Sequence, residues 1–287
     1  MIAIYKKELR AYFHSIIGYL FIAFFLFFIG LYFYINNVYS GYANFSYSLY
    51  GIRYFFTLLI PMVTMRIMAE ENRQKTDQLL LTSPISLERI IIGKYVAVLT
   101  VFAIVMTISG IYPLVLSKYG DVNLVSSYAA ILAFFFMGAA YLAIGLFISA
   151  MTESQALAAI ITFAVVLITT LSSTLGQVLP TDNFTAVKVF LLFVLLLAII
   201  TYVMMHNLTF SILVGLLGSG IVGGLYLIKP SVYDGSVVKF FDWLTISTRF
   251  DSFVYEVFDL SAIVYYLSVI CIFVFLTIQA LKKRRWS

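Results

Sequence analysis

The residues that could do chemistry are few, and the clearest are two adjacent carboxylates, Glu70 and Glu71. A carboxylate beside a metal-bound water could hydrolyse a peptide bond, so the pair raises an intramembrane metalloprotease as one alternative. Such a site needs several histidine or carboxylate ligands at membrane depth. The chain has two histidines, His14 near its start and His206 in a polar turn, so the pattern gives this alternative little support.

Two other patterns bear on nucleotide chemistry. The spacing of Gly218, Gly220 and Gly223 matches a dinucleotide fingerprint, but it lies in an apolar run with no preceding strand and no acidic partner. Gly220 and Gly224 more simply predict close helix packing. The sequence contains no Walker A motif, and its single cysteine, Cys271, excludes an intramolecular disulfide and a cysteine-based metal cluster.

The composition decides which kind of element must hold these residues. Of the 287 residues, 63% are hydrophobic and 11% are charged, and the mean hydropathy is +1.04. A soluble domain is about 45–50% apolar and about 25% charged. The chain is therefore predicted to lie in a membrane, which excludes a soluble enzyme, a nucleic-acid-binding module and a disordered region as its main description.

The apolar runs predict an all-α polytopic membrane protein with about eight transmembrane helices, because a helix needs about 20 apolar residues to cross the bilayer. The predicted spans are Ile16–Ile35, Ile52–Met68, Ile92–Leu116, Tyr128–Ala150, Gln155–Gly176, Val189–Met204, Phe210–Ile228 and Ala262–Leu281. A six-span alternative, in which the Val189–Ile228 hairpin does not cross, stays open. Most of the 18 lysine and arginine residues fall in segments that an N-terminus-inside topology makes cytoplasmic, so both termini are predicted to be cytoplasmic.

Residues 1–15 and 69–91 are the predicted cytoplasmic elements. The first fits an amphipathic helix lying on the inner leaflet. In the second, Thr76 can cap a short helix with Asp77 in its first turn, and Pro84 ends that helix. Its three leucines, Leu79, Leu80 and Leu81, form an apolar knob ringed by charges. Such a knob predicts either a docking element for a cytoplasmic partner or a connector that rests on the bilayer.

This loop resembles the cytoplasmic loop between the second and third spans of ABC-2 type exporter permeases. The matching residues are Arg66, Glu70, Glu71, Thr76, Leu80, Leu81, Thr82, Ser83, Pro84, Ser86, Gly93 and Lys94. The C-terminal part is similar to the gliding-motility and NosY-like branch of that family. That likeness rests on Arg249, Phe250, Phe253, Asp259, Leu260, Tyr265 and a last span that ends at Leu281 before Arg284.

The resemblance implies one transmembrane domain over residues 1–287, a permease subunit of an ATP-driven exporter that is not itself an enzyme. It implies an elbow helix in residues 1–15, a coupling loop in 69–91, and a six-span core with an inserted hairpin in 188–228. The ATPase contacts that it implies are Glu70, Glu71, Arg73, Thr76, Asp77, Leu79, Leu80, Leu81, Thr82, Ser83, Pro84 and, in a short turn, Glu153. Asp77 stands where the family more often has leucine.

The resemblance also implies partners. ATP and Mg²⁺ would bind a separate ATP-binding subunit, and a second permease chain, identical or different, would complete the translocation path. The extracytoplasmic segment 229–261 leaves room for an accessory protein, and the location would be the cell membrane of a bacterium or archaeon. A secondary transporter is the remaining alternative, but it needs ionisable groups at mid-membrane, whereas those here fall at span ends, such as Arg53 and Arg66.

Overall fold

The computed structural model describes residues 1–75, 86–178, 182–205 and 208–286. All the regular elements in these ranges are helical, as expected for a chain whose backbone must satisfy its hydrogen bonds within apolar segments. The α-helices are α1 (Ile2–His14), α2 (Ile16–Phe33), α3 (Ser46–Ile52), α4 (Phe56–Thr64), α5 (Ala69–Gln74), α6 (Leu87–Ser109), α7 (Ile111–Leu116), α8 (Leu124–Met151), α9 (Gln155–Val178), α10 (Asn183–Met205), α11 (Leu208–Ile228), α12 (Ser236–Leu244), α13 (Asp251–Val254) and α14 (Leu260–Trp286).

Among the described residues, seven helical stretches are long and apolar enough to cross a membrane. They are Ile16–Tyr39, Ser46–Gln74, Leu87–Leu116, Leu124–Met151, Gln155–Val178, Ser211–Ile228 and Leu260–Lys283. The sixth predicted span, Val189–Met204, lies within α10, whose apolar part, Asn183–Ile199, is shorter than the others. The prediction of an all-α polytopic membrane protein is confirmed. The second span is not one continuous α-helix, because the 3₁₀ turn Arg53–Phe55 separates α3 from α4 and residues 65–68 separate α4 from α5.

The chain forms two compact units, Met1–Thr170 with Ile246–Ser287, and Leu171–Thr245. In the first unit α8 is the most enclosed span, because 78% of the residues in its most apolar stretch are buried. Small residues make this packing possible, because a Cβ on Gly145 would overlap the side chain of Thr64, and one on Gly138 would overlap the ring of Phe102. Helix α8 is therefore the element against which the second, third and last spans are set.

The second unit contains the α10–α11 hairpin and α12. Tyr233 and Val237 are buried against Ala186 and Val187, and the Tyr233 hydroxyl donates a hydrogen bond to the carbonyl of Val222. The glycine motif of the sequence lies inside α11, where a Cβ on Gly220 would meet no atom within 4 Å. Among the described residues, Gly220 therefore has no close neighbour, and the close helix packing predicted for it is not found there.

The two ends of the first unit carry different polar contacts. At one end, called the α1 end, Lys282 near the end of α14 pairs with Glu88 at the start of α6. At the other end, called the α3 end, the buried Arg53 pairs with Asp251 and lies 3.9 Å from the ring centroid of Tyr50. Ile4 of α1 lies beside Gly93 of the same α6 helix, so the start of α1 and the end of α14 share one end of this unit.

Candidate functional site

Helix α5 carries the Glu-Glu pair, and a serine of α8 holds the start of this helix in place. The second span breaks between α4 and α5, and the N–H groups at the start of α5 lack partners within their own helix, as at any helix start. The Ser149 hydroxyl accepts hydrogen bonds from the N–H groups of Met68 and Ala69, both at 3.1 Å, and donates to the carbonyl of Met65 at 3.3 Å. One side chain therefore satisfies both sides of the break and sets where α5 begins.

Helix α5 is also tied to the end of α8 by Asn72, which is 5% exposed. The Asn72 amide donates to the carbonyls of Ala150 at 3.2 Å and Thr152 at 2.9 Å, and so satisfies acceptors that the end of α8 leaves open. Glu153 follows Thr152 directly and is exposed. The structure thus places the turn of Glu153 beside α5, so these two predicted contact regions are neighbours.

Lys94 joins the base of the loop to two other elements. Its ammonium group is 1% exposed and lies 2.9 Å from Glu71, 3.0 Å from Glu8 and 2.9 Å from the carbonyl oxygen of Ile67. The ammonium donates hydrogen bonds to Glu8 and to the carbonyl of Ile67, whereas its contact with Glu71 is an ion pair. Glu71 is therefore held by Lys94 at the start of the third span.

The partner from α1, Glu8, was not predicted as a site residue. Lys7 lies 3.3 Å from Glu71 and 3.6 Å from Glu8, which completes a cluster of two cations and two anions, called here the Lys94 cluster. Burial lowers the pKa of Lys7, but the charges of Glu71 and Glu8 outweigh it and raise that pKa. One sequence signal could have pointed to Glu8, since it is the single acidic residue of the otherwise basic and apolar α1.

A second ion pair, between Arg66 and Glu70 of α5, lies next to this cluster. Arg66 donates to Glu70 at 2.8 Å and to the hydroxyl of Ser15 at 2.9 Å, which links the second span to the junction of α1 and α2. The Tyr12 hydroxyl donates to the carbonyl of Val63 at 3.3 Å, and burial raises its pKa above the ordinary value. Both contacts fix α1 against the second span.

The remaining predicted site residues divide into two groups. Arg73 is exposed on α5, which ends at Lys75 in a left-handed conformation with φ of 54°. Outside the described residues lie Thr76, Asp77, Leu79, Leu80, Leu81, Thr82, Ser83 and Pro84. The structure therefore describes the two ends of the loop, at Lys75 and at Ser86, where α6 follows.

The chemistry of this site is ionic. Within the described ranges no group of three histidine, cysteine, aspartate or glutamate side chains could hold a metal ion. Glu71, on which a hydrolytic site would depend, instead binds two ammonium groups. The arrangement is suited to holding the loop base against α1, α6 and α8.

The comparison with known families identifies a related family. A sequence profile described as ABC-2 family transporter protein matches residues 34–228, about two thirds of the chain. None of the curated proteins compared matches it. The matched region covers the site on α5, α6 and α8 and ends before residues 249–281, on which the gliding-motility and NosY-like likeness depends.

Proposed function

The chain belongs to the ABC-2 transporter family, and we propose that it is the permease of an exporter whose motion is driven through residues 76–84 by a separate ATP-binding subunit. Membership makes it a membrane-embedded transport subunit without an ATPase site of its own. In this proposal the α1 end faces the cytoplasm, as the distribution of lysine and arginine predicts. ATP and Mg²⁺ then bind the partner, and this chain supplies the path.

The observation that carries the proposal is how the loop is held at both ends. Residues 76–84 leave from α5, which Ser149 and Asn72 tie to α8, and they return to α6, which carries Lys94. A displacement of the loop would therefore move the second, third and fourth spans together, because they carry α5, α6 and α8. It would also move α1, because Lys94 binds Glu8 as well as Glu71. Such a linkage is what a transmission element requires.

The mechanism follows from this linkage. Two permease chains, identical or different, would pack around a shared path, each holding one ATP-binding subunit. Closure of the ATPase pair on ATP would push the loop of each chain, and the rigid α5–α6–α8 corner would convert that push into rocking of the spans. ATP shifts the equilibrium between inward and outward states only as far as it binds one of them more tightly.

The test is a double substitution of Leu80→Asp and Leu81→Asp in the affinity-tagged full chain. If Leu80 and Leu81 dock against the ATP-binding subunit as proposed, carboxylates in their place would have to lose their water at that interface, so the subunit should no longer co-purify. A control is Tyr119→Asp, which introduces one carboxylate at an 87% exposed aromatic residue in the loop after α7.

The readouts are retention of a Walker-motif subunit, identified by mass spectrometry, and ATP hydrolysis by the purified complex. We expect the wild type and the Tyr119 variant to keep both, and the double variant to lose both. A double variant that keeps its ATPase with normal turnover would show that residues 76–84 do not dock the ATPase.

A further inference from the structure

The charges of α1 are segregated between two faces. Glu8, its single carboxylate, points into the Lys94 cluster, and its side chain is 13% exposed. Lys6, Arg10 and His14 are all exposed and stand at intervals of four residues. Residues spaced four apart lie on one side of a helix about one turn from each other. The outer side of α1 is therefore a row of basic groups, called here the basic row.

The nearby carboxylates are already engaged elsewhere. Glu8 and Glu71 bind Lys94, and Glu70 binds Arg66. Among the residues that the structure describes, no salt bridge reaches Lys6 or Arg10. The positive charge of the basic row is thus presented to the surroundings, where an anionic partner would be favoured.

The position of α1 indicates what those surroundings are. Helix α1 crosses α6 near Gly93, where a Cβ would lie 3.3 Å from Ile4. The stretch Leu87–Leu116 has 30 residues, about 45 Å of helix, against a hydrocarbon core of about 30 Å. Gly93 lies about 9 Å from the start of that stretch, so α1 crosses close to the boundary between acyl chains and headgroups. Ile2, 71% exposed, can enter the acyl layer from there.

We propose that the basic row binds the phosphate groups of anionic phospholipids. Arg10 and Lys6 would supply the charge, and His14 a further donor, while Glu8 on the opposite side holds the Lys94 cluster. Bound anionic lipid would then favour the position of α1 that supports the base of the loop. This last consequence rests on the proposed function, whereas the lipid binding itself does not.

The test measures lipid binding on the purified full chain without any ATP-binding subunit. Native mass spectrometry follows retention of dioleoyl-phosphatidylglycerol in competition with dioleoyl-phosphatidylcholine. Each basic residue near an anionic surface contributes about a fivefold change in affinity, so Lys6→Gln with Arg10→Gln should weaken phosphatidylglycerol binding about 25-fold, and each single variant about fivefold. The matched control is Lys75→Gln with Arg89→Gln, two exposed cations at the same end with an equal change in net charge.

Three results would overturn the proposal. The first is a wild type with no preference for phosphatidylglycerol over phosphatidylcholine. The second is a control pair that loses as much binding as the Lys6 and Arg10 pair. In the third, inorganic phosphate at millimolar concentration would displace the lipid completely, which would indicate a small-anion site. Because no ATPase is present, failure of the coupling proposal would leave the expected lipid result unchanged.

Discussion

Removing the ammonium of Lys94 should be among the most destabilising single changes in this protein. In Lys94→Met the stem keeps its packing, while Glu8 and Glu71 face each other without the cation that lies 2.9–3.0 Å from both. Breaking a buried ion pair costs about 3–5 kcal/mol because the remaining charge is uncompensated. Both carboxylates keep 13–15% exposure and Lys7 lies nearby, so we expect a loss close to about 3 kcal/mol.

The assay is thermal unfolding of the purified chain in a neutral detergent. A loss of about 3 kcal/mol corresponds to a fall of about 6–12 °C in the melting temperature for a chain of this size. The triple variant Lys94→Met, Glu8→Gln and Glu71→Gln removes the stranded charges, and neutral replacement of a whole buried ionic group is often well tolerated. It should therefore melt above the single variant.

The control is Lys282→Met, which breaks the pair with Glu88 at the same end. Both partners are largely exposed, at 42% and 56%, so this pair is worth at most about 1 kcal/mol and the melting temperature should fall by about 4 °C or less. The reasoning is refuted if Lys94→Met melts within the range of this control. It is equally refuted if the triple variant is no more stable than Lys94→Met.

Three further predictions can be checked with the same melting assay. Asn72→Ala removes two hydrogen bonds to the end of α8 and should cost about 1–3 kcal/mol; an unchanged melting temperature would contradict the capping role. Gly145→Ala should cost about 1–3 kcal/mol through overlap with Thr64, whereas Gly220→Ala should be neutral or stabilise α11 by up to about 1 kcal/mol; equal losses would argue against close packing of α8. Asp259→Ala should cost about 1 kcal/mol by removing a helix cap. Hydrogen bonds from Ser261 lower the pKa of Asp259, so its contribution is present above about pH 4 and is lost as the pH falls through the lower pKa of the folded state. A difference between wild type and variant that does not shrink as the pH is lowered below about 4 would contradict this.

The spans could be predicted from sequence because their length and apolar content alone specify a helix in lipid. Glu71 and Lys94 could also be singled out from the sequence, since both belong to the loop pattern. Their mutual contact could not be inferred, because the pattern gives no distance between its members. Glu8 lies 86 residues before Lys94 in sequence, and nothing in its neighbourhood specifies a partner that far away.

The break in the second span could not be predicted for a different reason. The run Ile52–Met68 is largely apolar between the arginines near its two ends, Arg53 and Arg66, which predicts one span. The interruption at residues 65–68 depends on Ser149, whose hydroxyl replaces the missing backbone partners from another helix. A serine within an apolar run has no signal of its own for this role, because its usual behaviour there is to bond its own helix.

The choice of ionic contacts at the base of the loop has a physical reason that stability alone does not supply. A buried ion pair is often no more stabilising than an apolar replacement of the same volume. Apolar contacts are non-directional, so a loop held by them could slide when it is pushed. Lys94 of α6 donates hydrogen bonds to Glu8 of α1 at 3.0 Å and to the carbonyl of Ile67, in the break before α5, at 2.9 Å. Lys7 of α1 donates one to Glu71 of α5 at 3.3 Å. Displacing any one element must stretch a directional bond in a poorly solvated site, so a push on residues 76–84 is passed on to α1 and α6 rather than absorbed at the loop base.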